Sequence, residues 1–167
     1  MAETAVVVLF PELEPLVGSI RGTLTRDGAR GMPPHVTLVY PFAEVAEIEA
    51  LSPALQEAMS VVSPFDVALA EVRRWPGVLY LAPDPPEPFV SIVERLTSAF
   101  PAHPPYGGAF VDIVPHVTIA QGNADTLDRI EREIAPELPV RVRAERAWVM
   151  ADGPDGWRRH TAFPFGH

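Results

Sequence analysis
The chain contains no cysteine. That absence excludes a disulfide scaffold and every thiolate metal site, and it fits a reducing compartment, so a cytoplasmic location is expected. Positive charge is also scarce: 13 Lys and Arg face 22 Asp and Glu, a net charge of −9. Such a surface repels duplex nucleic acid, and no duplex DNA partner is expected, although a phosphorylated small molecule in a local pocket is compatible with it. Long apolar runs are missing too. Nothing approaches the roughly 18 residues of a membrane span, and no membrane partner is expected. The opening Met-Ala-Glu-Thr has no basic region, and the apolar run Ala5–Phe10 has the length of a strand, so no secretory leader is expected. Histidine is rare, at five residues.

What is present is enough for a proper core. Of 167 residues, 47% are hydrophobic and 21% charged, which places the chain among globular proteins. Twenty prolines are spread along it and mark element ends rather than a linker. One domain over residues 1–167, built as two lobes that share a core, is expected. No heptad or long exposed apolar stripe appears, so a monomer is expected.

Strands are predicted at Ala5–Phe10, His35–Tyr40, Phe65–Val72, Val78–Ala82, His116–Ala120, Val140–Met150 and Trp157–Phe165. Helical spacing of apolar residues covers Pro11–Leu24, Pro88–Phe100 and Asn123–Ile134. A further helix is predicted from Ser52 as N-cap and Pro53 at the first helical position to about Val62. Residues Thr25–Pro33 and Pro101–Gly108 read as loops, and Asp152–Gly156 as a hairpin turn. The irregular alternation points to an α+β fold with two mainly antiparallel sheets and helices outside.

Two of the five histidines stand in nearly the same pentapeptide, Pro34-His-Val-Thr-Leu38 and Pro115-His-Val-Thr-Ile119. One copy lies in each half, which suggests lobes related by a pseudo-two-fold axis, with the motif strands facing each other across a central cleft. On a strand, residues i and i+2 share a face. His35 therefore pairs with Thr37 and His116 with Thr118, while Val36, Leu38 and Tyr40 turn the other way, with Val117 and Ile119. A single His-x-Thr on a strand is usually a satisfied structural histidine. Two copies in matching context leave coincidence, a metal site or a catalytic pair. Two histidines without cysteine or a nearby carboxylate fall short of the usual zinc ligand set, so neither a metal nor another cofactor is expected.

Two imidazoles and two hydroxyls around one point suit phosphoryl chemistry. With an ordinary pKa of about 6.5, one neutral ring can take a proton while an imidazolium gives one. The threonines can donate to non-bridging phosphate oxygens. The other histidines have plainer readings: His103 in a Pro-rich loop, His160 in mid-strand, His167 at the terminus. Arg141, Arg143 and Arg146 read as the solvated face of a strand.

These residues resemble the 2H phosphoesterase superfamily, which carries two His-x-Thr-x motifs. More narrowly, Pro-His-Val-Thr-Leu-Val-Tyr-Pro-Phe at 34–42, the opening Val-Val-Val-Leu-Phe-Pro-Glu-Leu-Glu-Pro-Leu-Val at 6–17 and Arg-Arg-Trp-Pro-Gly-Val-Leu-Tyr-Leu-Ala-Pro at 73–83 are similar to its bacterial 2′-5′ RNA ligase-like branch. The resemblance implies a bilobal fold with a central cleft. It also implies metal-independent phosphodiester chemistry, with His35 and His116 as the acid–base pair and Thr37 and Thr118 as phosphate holders. Many relatives carry an arginine three residues after the second motif threonine, as in His-x-Thr-x-x-Arg. Here that position is Gln121, which can donate to phosphate but lacks the charge and the fork. Tyr106 is a candidate wall for a base or ribose, as are Trp75 and Phe42.

Residues and resemblance together imply a cyclic phosphodiesterase acting on a 2′,3′-cyclic nucleotide or RNA end. Two alternatives stand beside it: ATP-independent 2′-5′ RNA ligation, and a non-catalytic nucleotide- or phosphate-binding module. Ligation needs a groove for two RNA ends, and no basic stretch with interleaved aromatics is visible to build one.

Overall fold
The computed structural model describes residues 3–104 and 113–166. Eight strands and five α-helices are present among them. The strands are β1 (Glu3–Leu9), β2 (His35–Val39), β3 (Phe65–Trp75), β4 (Val78–Asp84), β5 (Val117–Gln121), β6 (Val140–Ala144), β7 (Arg146–Gly153) and β8 (Gly156–Pro164). The helices are α1 (Glu14–Leu24), α2 (Arg26–Ala29), α3 (Ile48–Ser60), α4 (Glu87–Ala99) and α5 (Ala124–Ile134). None of these helices is long and apolar enough to cross a membrane.

The strands form two four-stranded sheets, ordered β2-β1-β7-β8 and β5-β4-β3-β6, and every pairing is antiparallel. The two orders correspond position by position. In each, a motif strand lies at the edge beside the strand that precedes it, with a helix in the connection. This is the expected α+β, pseudo-two-fold arrangement. The lobes are not simply the two halves of the chain, because β7 and β8 return to complete the first sheet.

That return explains one departure from the expected elements. Val140–Met150 is not one strand. β6 pairs with β3 in the second sheet, and β7 pairs with β1 in the first. The buried positions change parity across Glu145, from Val142 and Ala144 to Ala147 and Val149. A period-2 strand cannot keep one face inward through such a step, so the chain changes sheets there.

A second departure concerns the helix at Ser52-Pro53. Helix α3 begins at Ile48, behind a short turn whose Glu44 and Glu47 form a reciprocal capping box. The Ser52 hydroxyl donates to the Ile48 carbonyl within the helix at 2.7 Å. Pro53 sits inside the helix, where the capping box upstream outcompetes Ser52 as the starting signal. Inside the predicted 25–33 loop lies α2, whose first turn is capped by Thr25 accepting from the Gly28 N–H at 2.8 Å.

Packing is crossed between the lobes. Helix α1 connects the first sheet's β1 and β2 yet packs against β5, while α4 connects β4 and β5 yet packs against β2. One continuous apolar cluster therefore takes Val6, Val36, Leu79 and Ile119 from both sheets together with Leu55, Phe89 and Ile130 from the helices. Burial of this kind contributes about 25 cal/mol per Å² of apolar surface, which makes the two motif edges rigid neighbours.

Candidate active site
β2 and β5 approach each other at the facing edges of the two sheets. His35 and Thr37 on β2 meet His116 and Thr118 at the start of β5 around one cavity of about 140 Å³. Ala5, Asp27, Met32, Tyr40 and Trp157 complete its lining. Val36, Leu38, Val117 and Ile119 point into the core on the opposite faces, so strand alternation separates the polar pairs from the apolar row as the sequence requires.

The two histidines are held alike. Nδ1 of His35 lies 2.8 Å from the Pro33 carbonyl oxygen, and Nδ1 of His116 lies 2.8 Å from that of Val114. A carbonyl only accepts, so the neutral ring carries its proton on Nδ1 and keeps a lone pair on Nε2. Among the described residues, neither threonine hydroxyl has a protein hydrogen-bond partner. His35 is 7% exposed. Burial first, and the Arg21 charge second, push its pKa down to about 3. Burial also lowers that of His116, against the opposing effect of the Val114 carbonyl.

The sign of the resulting acid sensitivity follows directly. Unfolded His35 takes a proton near 6.5, and folded His35 only near 3. Its contribution to stability is complete above 6.5 and is lost as pH falls toward 3, reaching on the order of a few kcal/mol. Denaturant unfolding across that window should show the loss, and His35→Gln should show a shallower dependence. Equal slopes in the two proteins would remove His35 as its source.

Arg21 links β5 to the segment that leads into β2. It is 2% exposed. Its Nε donates to the Thr118 carbonyl at 2.9 Å and its Nη1 to the Met32 carbonyl at 2.5 Å. Desolvation lowers its pKa, while Asp27 and Glu14 oppose that shift. Sequence reasoning missed this residue, although a signal existed: Arg21 lies four residues after Val17 and eight after Leu13, on the buried stripe of α1. Asp27, its carboxyl pushed up by partial burial, Met32 and Trp157 were missed because only tertiary contact brings them to the cavity. Gly156 helps place Trp157. Its φ is +104, a Cβ there would collide with the Arg30 carbonyl, and the next N–H, that of Trp157, donates to this same carbonyl at 2.7 Å.

Tyr40 corrects an expectation. Alternation turns it away from the cleft, yet it lines the cavity. Opposite β1, Val6 pairs with Val39 and Val7 with Thr37, so β2 carries one extra residue and its parity flips beyond Thr37. The Tyr40 hydroxyl donates to Glu3 Oε2 at 2.6 Å, and its ring packs edge-on against Trp157 at 5.9 Å.

Gln121 lies at the far end of β5 and does not line the cavity. Its Oε1 accepts from the Arg26 N–H at 2.9 Å. Tyr106 lies outside the described residues, as does His167. Trp75 packs edge-on against His116 at 4.7 Å and is 38% exposed, whereas Phe42 is a core residue against Phe100. His103 contacts Phe42, and His160 is exposed with Nδ1 on the Thr161 hydroxyl. Among the described residues, no three His, Asp or Glu side chains form a group able to hold a metal ion.

The sequence model of the 2′-5′ RNA ligase superfamily matches residues 9–156, most of the chain and both motif strands. The chain belongs to the 2′-5′ RNA ligase superfamily. Solved structures agree on the fold of this superfamily member. Escherichia coli LigT complexed with 3′-AMP is similar at a TM-score of 0.64 and 16% identity, over 99% of this chain and 98% of that one. TT0787 of Thermus thermophilus is similar at 0.66 and 17%, over 99% of each chain. No curated protein sequence matches this superfamily member.

Proposed function
We propose that the chain is a phosphodiesterase that opens a 2′,3′-cyclic phosphate on a nucleotide or RNA end, with His35 and His116 as its proton carriers. The observation that carries this reading is two Nδ1-anchored imidazoles and two unpartnered threonine hydroxyls, among the described residues, around one small cavity. Pure binding of phosphate has no need of two proton carriers.

In this mechanism one Nε2 takes a proton from water as the water oxygen bonds to phosphorus. The other imidazole, protonated, gives its proton to the departing ribose oxygen as that P–O bond breaks. The product is a phosphomonoester with one freed hydroxyl, and proton exchange with solvent resets the pair. Thr37 and Thr118 donate to the non-bridging oxygens, where charge is held in the transition state. With the hydroxyl of a second RNA end attacking phosphorus in place of water, the same two proton transfers form an open phosphodiester as the ribose oxygen leaves, which is the ligation reading.

The cavity is smaller than the roughly 300 Å³ at which pockets begin to enclose a drug-sized ligand. It fits a phosphodiester and part of its sugar, with the base over the rim near Tyr40, Trp157 and Trp75. LigT has been solved with 3′-AMP, ATP and NADP+, which supports a nucleotide here.

The direct test is a panel of 2′,3′-cyclic nucleotides incubated with purified protein in EDTA, with products resolved as 2′- or 3′-phosphates. Turnover that survives EDTA is expected; failure on every member would transfer the cavity to a binding role. The pH profile gives a second test. Both imidazoles titrate below 6.5 in the free protein, so the bell in kcat/KM should lie on the acid side of that value whichever ring is the base. A bound anion favours imidazolium, so the bell in kcat should sit higher. A kcat/KM maximum at alkaline pH would contradict the assignment.

A further inference from the structure
We propose that Trp148, Arg146, Arg159 and Arg143 form a second nucleotide subsite, which holds the RNA strand leading into the two-histidine cavity. The proposal rests on the phosphodiesterase reading for its direction and on a separate part of the surface for its content.

All thirteen basic residues of this chain are arginine, and five of them fall between 141 and 159. No single stretch of the sequence interleaves basic and aromatic residues, but the fold brings such residues together. β6, β7 and β8 run side by side or end to end, and they gather residues that no single stretch of sequence shows together. Arg143, Arg146, Trp148 and Arg159 line one open surface cavity of about 380 Å³. The Arg159 guanidinium stands 5.5 Å from the centre of the half-buried Trp148 ring. Arg143 pairs with Asp66 at 3.0 Å, but Arg146 and Arg159 enter no salt bridge among the described residues. Glu12 and Glu145 also line the cavity, so it is not uniformly basic. In a chain of net charge −9, two exposed arginines outside any such salt bridge, beside a tryptophan, are nonetheless a local reversal of sign.

The subsite is continuous with the reacting centre. Leu9 lines it, and Leu9 is the cross-strand partner of His35. Val7 pairs with Thr37 on one side and with Trp148 on the other. Trp148 is thus two strand spacings from Thr37, about 10 Å. The preceding nucleotide of an RNA end joins the terminal ribose through its 5′-oxygen, one nucleotide step from the cyclic phosphate, a separation of that order. Its base would stack on Trp148, and its phosphate would meet the guanidinium forks of Arg146 and Arg159, an arrangement arginine serves better than lysine. Arg143 also lines a neighbouring cavity with Arg141, but Glu12, Asp66 and Asp84 line it too, so the basic surface ends there.

The test compares adenosine 2′,3′-cyclic phosphate with a short oligoadenylate ending in the same group. In Arg146→Glu/Arg159→Glu, the ratio of kcat/KM for the oligonucleotide to that for the mononucleotide should fall about tenfold or more. Binding of a fluorescent oligoadenylate, measured by anisotropy, should weaken alongside it. The salt slope should drop by roughly 0.7 for each phosphate that no longer meets an arginine. Both arginines are exposed, so thermal melts should match those of the parent. Trp148→Leu should weaken oligoadenylate but not inorganic tripolyphosphate. An unchanged ratio with unchanged anisotropy would overturn the subsite. So would tripolyphosphate binding as tightly as the oligonucleotide, since that marks a plain anion patch. If neither substrate turns over but the arginine variant still loses oligoadenylate, the subsite stands and the catalytic reading falls.

Discussion
His35→Ala and His116→Ala are each expected to lower kcat for a 2′,3′-cyclic nucleotide by about 10²–10⁴-fold. The loss should fall on kcat more than on KM, because an imidazole Nε2 contributes most when a proton is in transit. Each ring is fixed through Nδ1 to its own backbone carbonyl at 2.8 Å, so neither can swing across to replace the other. The double variant should be little worse than either single one, since the two act as a unit. Thr37→Val and Thr118→Val should cost less, about 10-fold to 10²-fold, by removing one donor to the phosphate oxygens. Steady-state kinetics in EDTA, with circular dichroism to confirm the fold, would measure all of these. Full activity in either histidine variant would end the two-histidine mechanism.

The largest effect on the fold should come from Arg21→Ala. The guanidinium satisfies buried carbonyls in both lobes, at Thr118 and Met32. Its removal leaves both without their donor and opens a void beneath the motif strands. Loss of a buried, hydrogen-bonded charged side chain costs about 3–5 kcal/mol. In a chain of this length that corresponds to a fall in Tm of about 10 °C. Arg21→Lys keeps the charge without the fork, so it should recover only part of the loss. A second readout separates a positioning role from simple instability. The Arg21 charge helps hold the His35 pKa down, so its removal should move the acid limb of kcat/KM to higher pH in the protein that remains folded. Unchanged melting with an unchanged pH profile would show that Arg21 links nothing.

The repeated Pro-His-Val-Thr segment was legible without any structure. Alternation on a strand is a property of the backbone, so placing His35 beside Thr37 and His116 beside Thr118 needed only a period of two. The amphipathic helices at Pro88–Phe100 and Asn123–Ile134 were legible for the same reason, because their apolar spacing repeats every turn. The superfamily resemblance rested on those same local residues, and the family match agrees with it.

Elsewhere, competing local signals had to be settled by packing. Ser52-Pro53 is a sound helix start in isolation, yet the Glu44–Glu47 capping box lies upstream and starts the helix first. Tyr40 follows alternation until an extra residue in β2 reverses its side. The shift in buried parity at Glu145 was present in the sequence, but its meaning as a change of sheet depends on which strands wait on either side.

By itself, then, the sequence determined most of the strands and helices and the two polar pairs, because these follow from interactions within a few residues. Only the tertiary structure decided that the pairs share one cavity, that Arg21, on a helix crossing between lobes, links β5 to the segment that leads into β2, and that arginines from three strands converge on Trp148. Those relations join residues far apart in the chain, and strand pairing and core packing, rather than local periodicity, set their distances.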